Sequence, residues 1–517
     1  MGLMAGARWP RAWMVAGVVL AAACPARAEP VARDKVTAAL PRLAEMARKA
    51  VTDGGVPGLA IAVVHNDEVV FAEGFGLRAM GRADLVDADT VFQIASLSKP
   101  VSSTVVAALV SDGVLDWDTR VAELAPEFQL MGAYPTQQVT VRDFFNHRSG
   151  LPGNAGDDIE DLGYGRDAVM ARLRLVPPSS SFRAGYAYSN AGLTMGALAA
   201  VKPTGKSWEE VAEEKLFRPL GMKTTSYRYA DFLARANRAA LHVPVDGQWV
   251  AKLTRDPGTQ APAGGISSTV RDLAQWMRLE LGAGQFGPQR LITPESIAAT
   301  HVPLMARGHN PVTGAPSFYG LGWNIEYGRH GVSWGHAGAF SVGAQTLVTL
   351  YPEQQIGIVL LTNAFPSGVP EGLSASFFDL VFDGRVEKDW IAPWQGAYDS
   401  LFGPMVAAAK NTYAAPPTPA TPALPADAYV GSYANDYVGP GAVAREGGAL
   451  VLKLGPGGRK AYPLTHFDRD LFLIYPSPEM PDMPSAVRFA IGPDGRAGAI
   501  TIEELNGNGL GTLARQP

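Results

Sequence analysis

The sequence predicts an α/β fold, an antiparallel sheet flanked by helices with a helical insertion, followed by a small all-β C-terminal domain. Three observations carry this expectation. Strand-like runs open and close one long stretch of chain, mostly helical pieces lie between them, and beyond a proline-rich interruption the hydrophobic period changes to alternation.

The 517 residues, 47% of them apolar and 18% charged, suffice for a large core and more than one domain. With a formal net charge of -5 and no basic run interleaved with aromatics, no nucleic-acid partner is expected. Arg8 and Arg11, an apolar run from Trp13 to Cys24 and then Ala26-Arg27-Ala28 read as a signal peptide over residues 1–28, which predicts a periplasmic or secreted protein. Cleavage after Ala28 removes Cys24, the single cysteine, and with it any disulfide, Cys nucleophile or thiolate metal site. The competing reading makes Cys24 a lipid-attachment cysteine, but Leu20 then stands one place too far back and Pro25 follows it. No later stretch is apolar enough for stable membrane insertion.

From Gly58 to Arg78, two β-rich runs flank the turn His65-Asn66-Asp67-Glu68, which predicts a hairpin. Residues 96 to about 221 read as helices broken by loops, with further helices at Asp272–Leu281 and Pro294–Thr300. Strands return at Trp323–Tyr327, Gly331–Trp334, Ala344–Tyr351 and Ile356–Thr362, so one sheet draws on both ends of a domain spanning 29–410. Pro416, Pro417, Pro419, Pro422 and Pro425 mark a stiff linker over 411–425. Beyond it, Leu450, Leu452 and Leu454, then Val487, Phe489 and Ile491, alternate with other residues, which predicts an antiparallel β sandwich or barrel over 426–517.

Three motifs carry chemistry. The only Ser-x-x-Lys of the chain, Ser96-Leu97-Ser98-Lys99, stands where Val101, Val105 and Leu109 begin a helical pattern, which makes Ser96 a first-turn residue. One helical turn places the Lys99 amine on the face of the Ser96 hydroxyl. A serine nucleophile needs a base beside it, and burial together with the positive helix end pushes a lysine toward its neutral form. In Tyr188-Ser189-Asn190, a phenol adds a second proton carrier, and the Asn190 amide can hold both the amine and a substrate carbonyl. Tyr433-Ala434-Asn435 repeats that pattern in the β domain and is read as structural. Gly335-His336-Ala337-Gly338-Ala339 contains the only His-x-Gly; on an edge strand its glycines admit a substrate backbone, and His336 projects into the cleft. The histidines are scattered and no metal or cofactor is expected.

In this order the three motifs resemble the serine β-lactamase and penicillin-binding-protein superfamily, in its class C-like branch. His147-Arg148-Ser149-Gly150-Leu151-Pro152, Pro219-Leu220-Gly221-Met222, Ala263-Gly264-Gly265-Ile266-Ser267-Ser268 and Tyr319-Gly320-Leu321-Gly322-Trp323 support the resemblance, and the β domain is similar to the lipocalin-like module appended to many members. The resemblance implies the β-lactamase/transpeptidase-like fold, acylation of Ser96, proton transfer shared by Lys99 and Tyr188, and an oxyanion hole from the Ser96 and Ala339 N–H groups. Asn190, His336 and Gly338 would line the cleft with Ala339. Two departures stand out: Phe182-Arg183 where Pro-Gly is usual, and His336-Ala337-Gly338 where β-lactamases carry Lys-Thr-Gly. The expected activity is a serine hydrolase acting on small esters or amides, of the esterase or D-amino-acid amidase or peptidase type. The alternatives are a D-alanyl-D-alanine carboxypeptidase or β-lactamase, and a non-catalytic penicillin- or peptidoglycan-binding protein. No residue beyond the linker is expected to serve the chemistry.

Overall fold

The computed structural model describes residues 30–476 and 483–517; the signal-peptide expectation for residues 1–28 lies outside them. Eight antiparallel strands build the main sheet: β1 (Gly58–His65), β2 (Glu68–Gly76), β3 (Met305–His309), β4 (Pro316–Tyr319), β5 (Asn324–Gly328), β6 (Gly331–Phe340), β7 (Ala344–Tyr351) and β8 (Ile356–Thr362). Their spatial order is β2-β1-β8-β7-β6-β5-β4-β3, so the N-terminal hairpin joins the later strands where β1 pairs with β8, Leu59 opposite Thr362 through His65 opposite Ile356.

Every residue of β1 is buried because both faces of the sheet are covered. Strand alternation sends Ala60, Ala62 and Val64 into the larger core beneath the helical insertion, and Leu59, Ile61 and Val63 against the helices Arg33–Thr52 and Val369–Asp383. The insertion occupies residues 77–304. At its centre the helix Ser98–Ser111 buries every residue from Ser98 to Leu109, as a helix packed on all sides does.

Beyond the helix Ile391–Thr412, nine strands form the C-terminal domain: β9 (Gly431–Asn435), β10 (Gly439–Glu446), β11 (Ala449–Leu454), β12 (Lys460–Pro463), β13 (Thr465–Asp468), β14 (Leu471–Ile474), β15 (Ser485–Ile491), β16 (Ala497–Ile502) and β17 (Thr512–Arg515). Their order is β12-β11-β10-β9-β17-β16-β15-β14-β13. The two outermost strands, β12 and β13, are consecutive in sequence with Leu464 alone between them, so the sheet curls until its edges meet in a nearly closed barrel.

Four local expectations are corrected. Ser96 lies in a 3₁₀ turn, Ala95–Leu97, and the α-helix starts at Ser98. The strand expected at 331–334 runs on to Phe340, because residues 334–340 pair with β7. That strand is interior rather than an edge as far as Gly335; beyond Gly335 its pairing with β5 stops, and 336–340 keep a strand partner on one side only. The helix Ile391–Thr412 also extends two residues into the stretch read as linker.

Candidate active site

The centre of the site is the 3₁₀ turn Ala95–Leu97, tied to the sheet from both sides. Ala95 adopts a left-handed φ of 49°, and the Ile94 carbonyl accepts a hydrogen bond from Thr346 Oγ1 on β7 at 2.8 Å. β6 passes so close that a Cβ on Gly338 would stand 2.3 Å from the Ile94 oxygen and 2.7 Å from the Leu97 nitrogen. Only glycine fits there, and its absence of a side chain sets the segment carrying Ala339 alongside the turn carrying Ser96.

Lys99, one turn on, is wholly buried. Its Nζ donates to Ser96 Oγ at 2.9 Å, to Asn190 Oδ1 at 2.7 Å and to the Ala263 carbonyl at 3.0 Å. Three acceptors satisfy three N–H donors, which fixes the amine without neutralising it. Burial brings its pKa down to about 7, against the opposing pull of Asp157. Asn190 stands at the start of the helix Asn190–Val201, which Ser189 caps by accepting from the Gly192 N–H at 3.1 Å. The ring centroid of Tyr188 lies 4.5 Å from the Lys99 amine. Burial raises the Tyr188 phenol far above its ordinary range, although it shares a hydrogen bond with Ser96, so it is a neutral O–H.

His336 is buried and does not open to solvent. Its Nδ1 donates to the Ala337 carbonyl at 2.6 Å, which leaves Nε2 to accept from the Tyr319 hydroxyl at 3.0 Å. Desolvation, with Lys99 adding to it, lowers its pKa to about 3; the imidazole is uncharged. The structure therefore brings Ser96, Lys99, Tyr188 and Asn190 into one hydrogen-bonded or stacked group, with His336 and the Gly338–Ala339 segment on the adjoining strand.

Several neighbours were not singled out as site residues from the sequence, although His147, Tyr319 and Arg183 lie in motifs it offered. His147, held at φ 59°, accepts from the Ser189 N–H at 3.1 Å and packs between Tyr188 and Tyr319, at ring centroid distances of 4.6 and 4.9 Å. Asp157 accepts from Asn190 Nδ2 at 3.3 Å and from Gln260 Nε2 at 2.9 Å, and Gln260 also donates to Glu160 at 2.7 Å. Burial raises the carboxyls of both Asp157 and Glu160, the latter to about 7. The signal for Asp157 is the acidic run Asp157-Asp158-Ile159-Glu160-Asp161 behind Gly156, whose left-handed φ of 81° opens that short helix. Arg307, on β3, sets its guanidinium 5.7 Å from the Tyr186 ring and 6.0 Å from the Tyr319 ring. Arg183 is committed elsewhere: with Arg148 it pairs the fully buried Asp143, both at 2.7 Å. Of potential metal ligands among the described residues, His330, Asp379 and Asp383 converge within 4.8 Å. Arg329 already bridges both of those carboxylates and pairs Glu387 as well.

Comparison with known proteins matches two family models to the chain: Beta-lactamase over residues 43–375, and a domain of unknown function, DUF3471, over residues 415–510. The unguisins hydrolase ungD' of Aspergillus campestris is 26% identical over 413 residues, 75% of each chain. Penicillin-binding protein 4 of Amycolatopsis lactamdurans is 29% identical over 349 residues, 64% of this chain and 85% of its own. The D-alanyl-D-alanine-carboxypeptidase/endopeptidase AmpH of Escherichia coli K12 is 25% identical over 359 residues, 66% and 88%. Among solved structures, the octameric penicillin-binding protein homologue from Pyrococcus abyssi superposes with a TM-score of 0.57 at 20% identity, covering 90% of this chain and 98% of that one.

Proposed function

Since the chain belongs to the Beta-lactamase family, we propose that its Ser96 is the nucleophile of a serine hydrolase acting on small esters or amides. The observation that carries this reading is the 2.9 Å contact between Ser96 Oγ and a lysine amine whose pKa burial has lowered to about 7. Near neutral pH a large fraction of Lys99 is an uncharged amine, able to take the serine proton as Oγ attacks a carbonyl carbon. The proton then passes to the departing alkoxide or amine, with the neutral Tyr188 hydroxyl as carrier, and water cleaves the acyl-enzyme by the reverse sequence. The N–H groups of Ser96 and Ala339 are proposed to receive the oxyanion. Residues 1–28 as a signal peptide, and hence a periplasmic or secreted location, belong to the same proposal.

On substrate, the neutral His336 and the hydroxyl-free Ala337 offer little to a free carboxylate. A lost hydrogen bond to a charged group costs about 1.5–3 kcal/mol, roughly ten- to hundredfold in rate. Arg307 favours a second reading, in which its exposed guanidinium at the tyrosine-lined mouth receives the carboxylate of a D-amino-acid peptide or a β-lactam. A fluorophosphonate probe is expected to label the wild type and miss Ser96→Ala; equal labelling of both refutes the assignment. Comparing a short p-nitrophenyl ester with nitrocefin separates the two readings. Wild type is expected to prefer the ester, and Ala337→Thr to move toward nitrocefin. A nitrocefin preference that Arg307→Ala abolishes establishes the second reading instead.

A further inference from the structure

The short helix Asp157–Asp161 faces two ways. Asp157, its first residue, reaches Asn190 at 3.3 Å, and Asn190 holds the Lys99 amine at 2.7 Å. Asp158, the next residue, turns away from the site and accepts from the Tyr437 hydroxyl of the C-terminal domain at 2.6 Å; the Gly156 N–H donates to that same oxygen at 3.4 Å. Tyr437 is 2% exposed. Around this contact the barrel presses its backbone onto the segment that follows the helix. A Cβ on Gly439 would stand 2.3 Å from the Tyr164 hydroxyl, and one on Gly455 would stand 2.2 Å from the Leu162 carbonyl. Both glycines have positive φ, 86° and 75°, so the approach is built into the turns of the barrel. Asn508 adds a hydrogen bond to Asn154 at 3.3 Å, on the loop leading into the helix.

A five-residue helix opened by a glycine has little intrinsic stability, so its position depends on what holds it from outside. We propose that Tyr437 is a positioning residue for Lys99: by pinning Gly156 and Asp158 from the C-terminal domain, its hydroxyl holds Asp157 against Asn190 and so sets the environment of the amine. This rests on the reading of Lys99 as the base and adds a route by which the second domain tunes it. Among charged groups, Asp157 faces Lys99, Asp158, Glu160, Asp161 and Arg255. Lys99 in turn faces Asp157 and, across the tyrosine cluster, the uncharged His147 and His336. Asp157 is the one that stabilises the ammonium form. Letting it drift therefore lowers the pH at which Lys99 loses its proton.

The test is the titration of Lys99, followed by NMR of 13Cε-labelled lysine in the full chain and assigned by its absence in Lys99→Met. Asp157→Asn is expected to move the Lys99 midpoint down by about one pH unit. Tyr437→Phe, which keeps the ring and removes the hydroxyl, is expected to move it the same way by a smaller amount, and the double variant no further than Asp157→Asn alone. Asp158→Ala breaks the contact from the other side and is expected to reproduce the shift should Tyr437→Phe fold poorly. As a control, Tyr433 donates to the Tyr429 carbonyl at 2.6 Å inside the barrel, so Tyr433→Phe should lower Tm without moving the titration. A wild-type midpoint in both Tyr437→Phe and Asp158→Ala overturns the proposal. The shift without any turnover of ester, amide or nitrocefin by wild type sustains the positioning role and refutes the hydrolase reading.

Discussion

Lys99 and Asp157 divide between them the work of setting a proton affinity. Desolvation is the larger influence on the amine and Asp157 the smaller, opposing one, so Lys99 sits near pH 7 rather than at an ordinary lysine's value. With Lys99 as the proposed base, the neutral amine is the form that takes the serine proton, hence kcat/KM for an ester should rise as pH increases through about 7. In Asp157→Asn the ammonium loses its partner, the amine deprotonates more readily, and the acidic limb of the profile is expected to move to lower pH. An unmoved limb, or one displaced to higher pH, would show that another group limits the reaction. Tyr188 does not compete for the role of resting base, because burial keeps its phenol protonated throughout the working range.

β6 brings its partners to the serine by having almost no side chain where it crosses the 3₁₀ turn. Gly338→Ala sets a methyl against backbone atoms at 2.3 and 2.7 Å that cannot rotate away, and overpacking of this kind costs about 1–3 kcal/mol. Its expected result is a lower Tm together with slower fluorophosphonate labelling of Ser96. Gly264→Ala is the contrast, since its Cβ would find Phe340 at 3.8 Å, an ordinary contact, and Tm and labelling should stay near wild type. The same geometry explains what the sequence could and could not disclose. Ser96 and Lys99 lie within one turn of each other, and Tyr188 and Asn190 two residues apart, so spacing alone grouped each pair; β7 and β8 matched their expected limits because an unbroken apolar run bounded by a turn leaves little choice. Asp157, Gln260 and Tyr437 had no such spacing, and of the three only Asp157 stands in a run that marks it at all, the acidic stretch 157–161. They meet through contacts spanning 33, 103 and 279 residues, which periodicity does not encode.

Across the whole chain, buried titratable groups give stability its own dependence on pH. Glu280 is wholly buried, takes a hydrogen bond from Thr104 at 2.5 Å, and lies 3.6 Å from His301. Burial pushes its carboxyl up to about 7 and holds His301 down at about 3, so near neutrality His301 is uncharged while Glu280 is passing between its protonated and ionised forms. For Glu280 the folded value exceeds the unfolded one of about 4.5. The native state therefore holds an extra proton, and the associated stability, present below pH 4.5, is lost as pH rises through about 7. Glu280→Gln removes that ionisation. Its stability relative to wild type should accordingly improve by about 2–3 kcal/mol between pH 4 and pH 8, read from urea midpoints; a pH-independent difference would refute the assignment. The nearly closed barrel has one further consequence, for behaviour at high concentration. Its outermost strands are four residues each and are joined through Leu464 alone, so among the described residues that domain offers only short edges to a neighbouring molecule, while the main sheet, edged by β2 on one side, carries at its β3 edge Arg307, Gly308 and His309 and an irregular register against β4. A charged, kinked border of this kind is a poor template for strand addition.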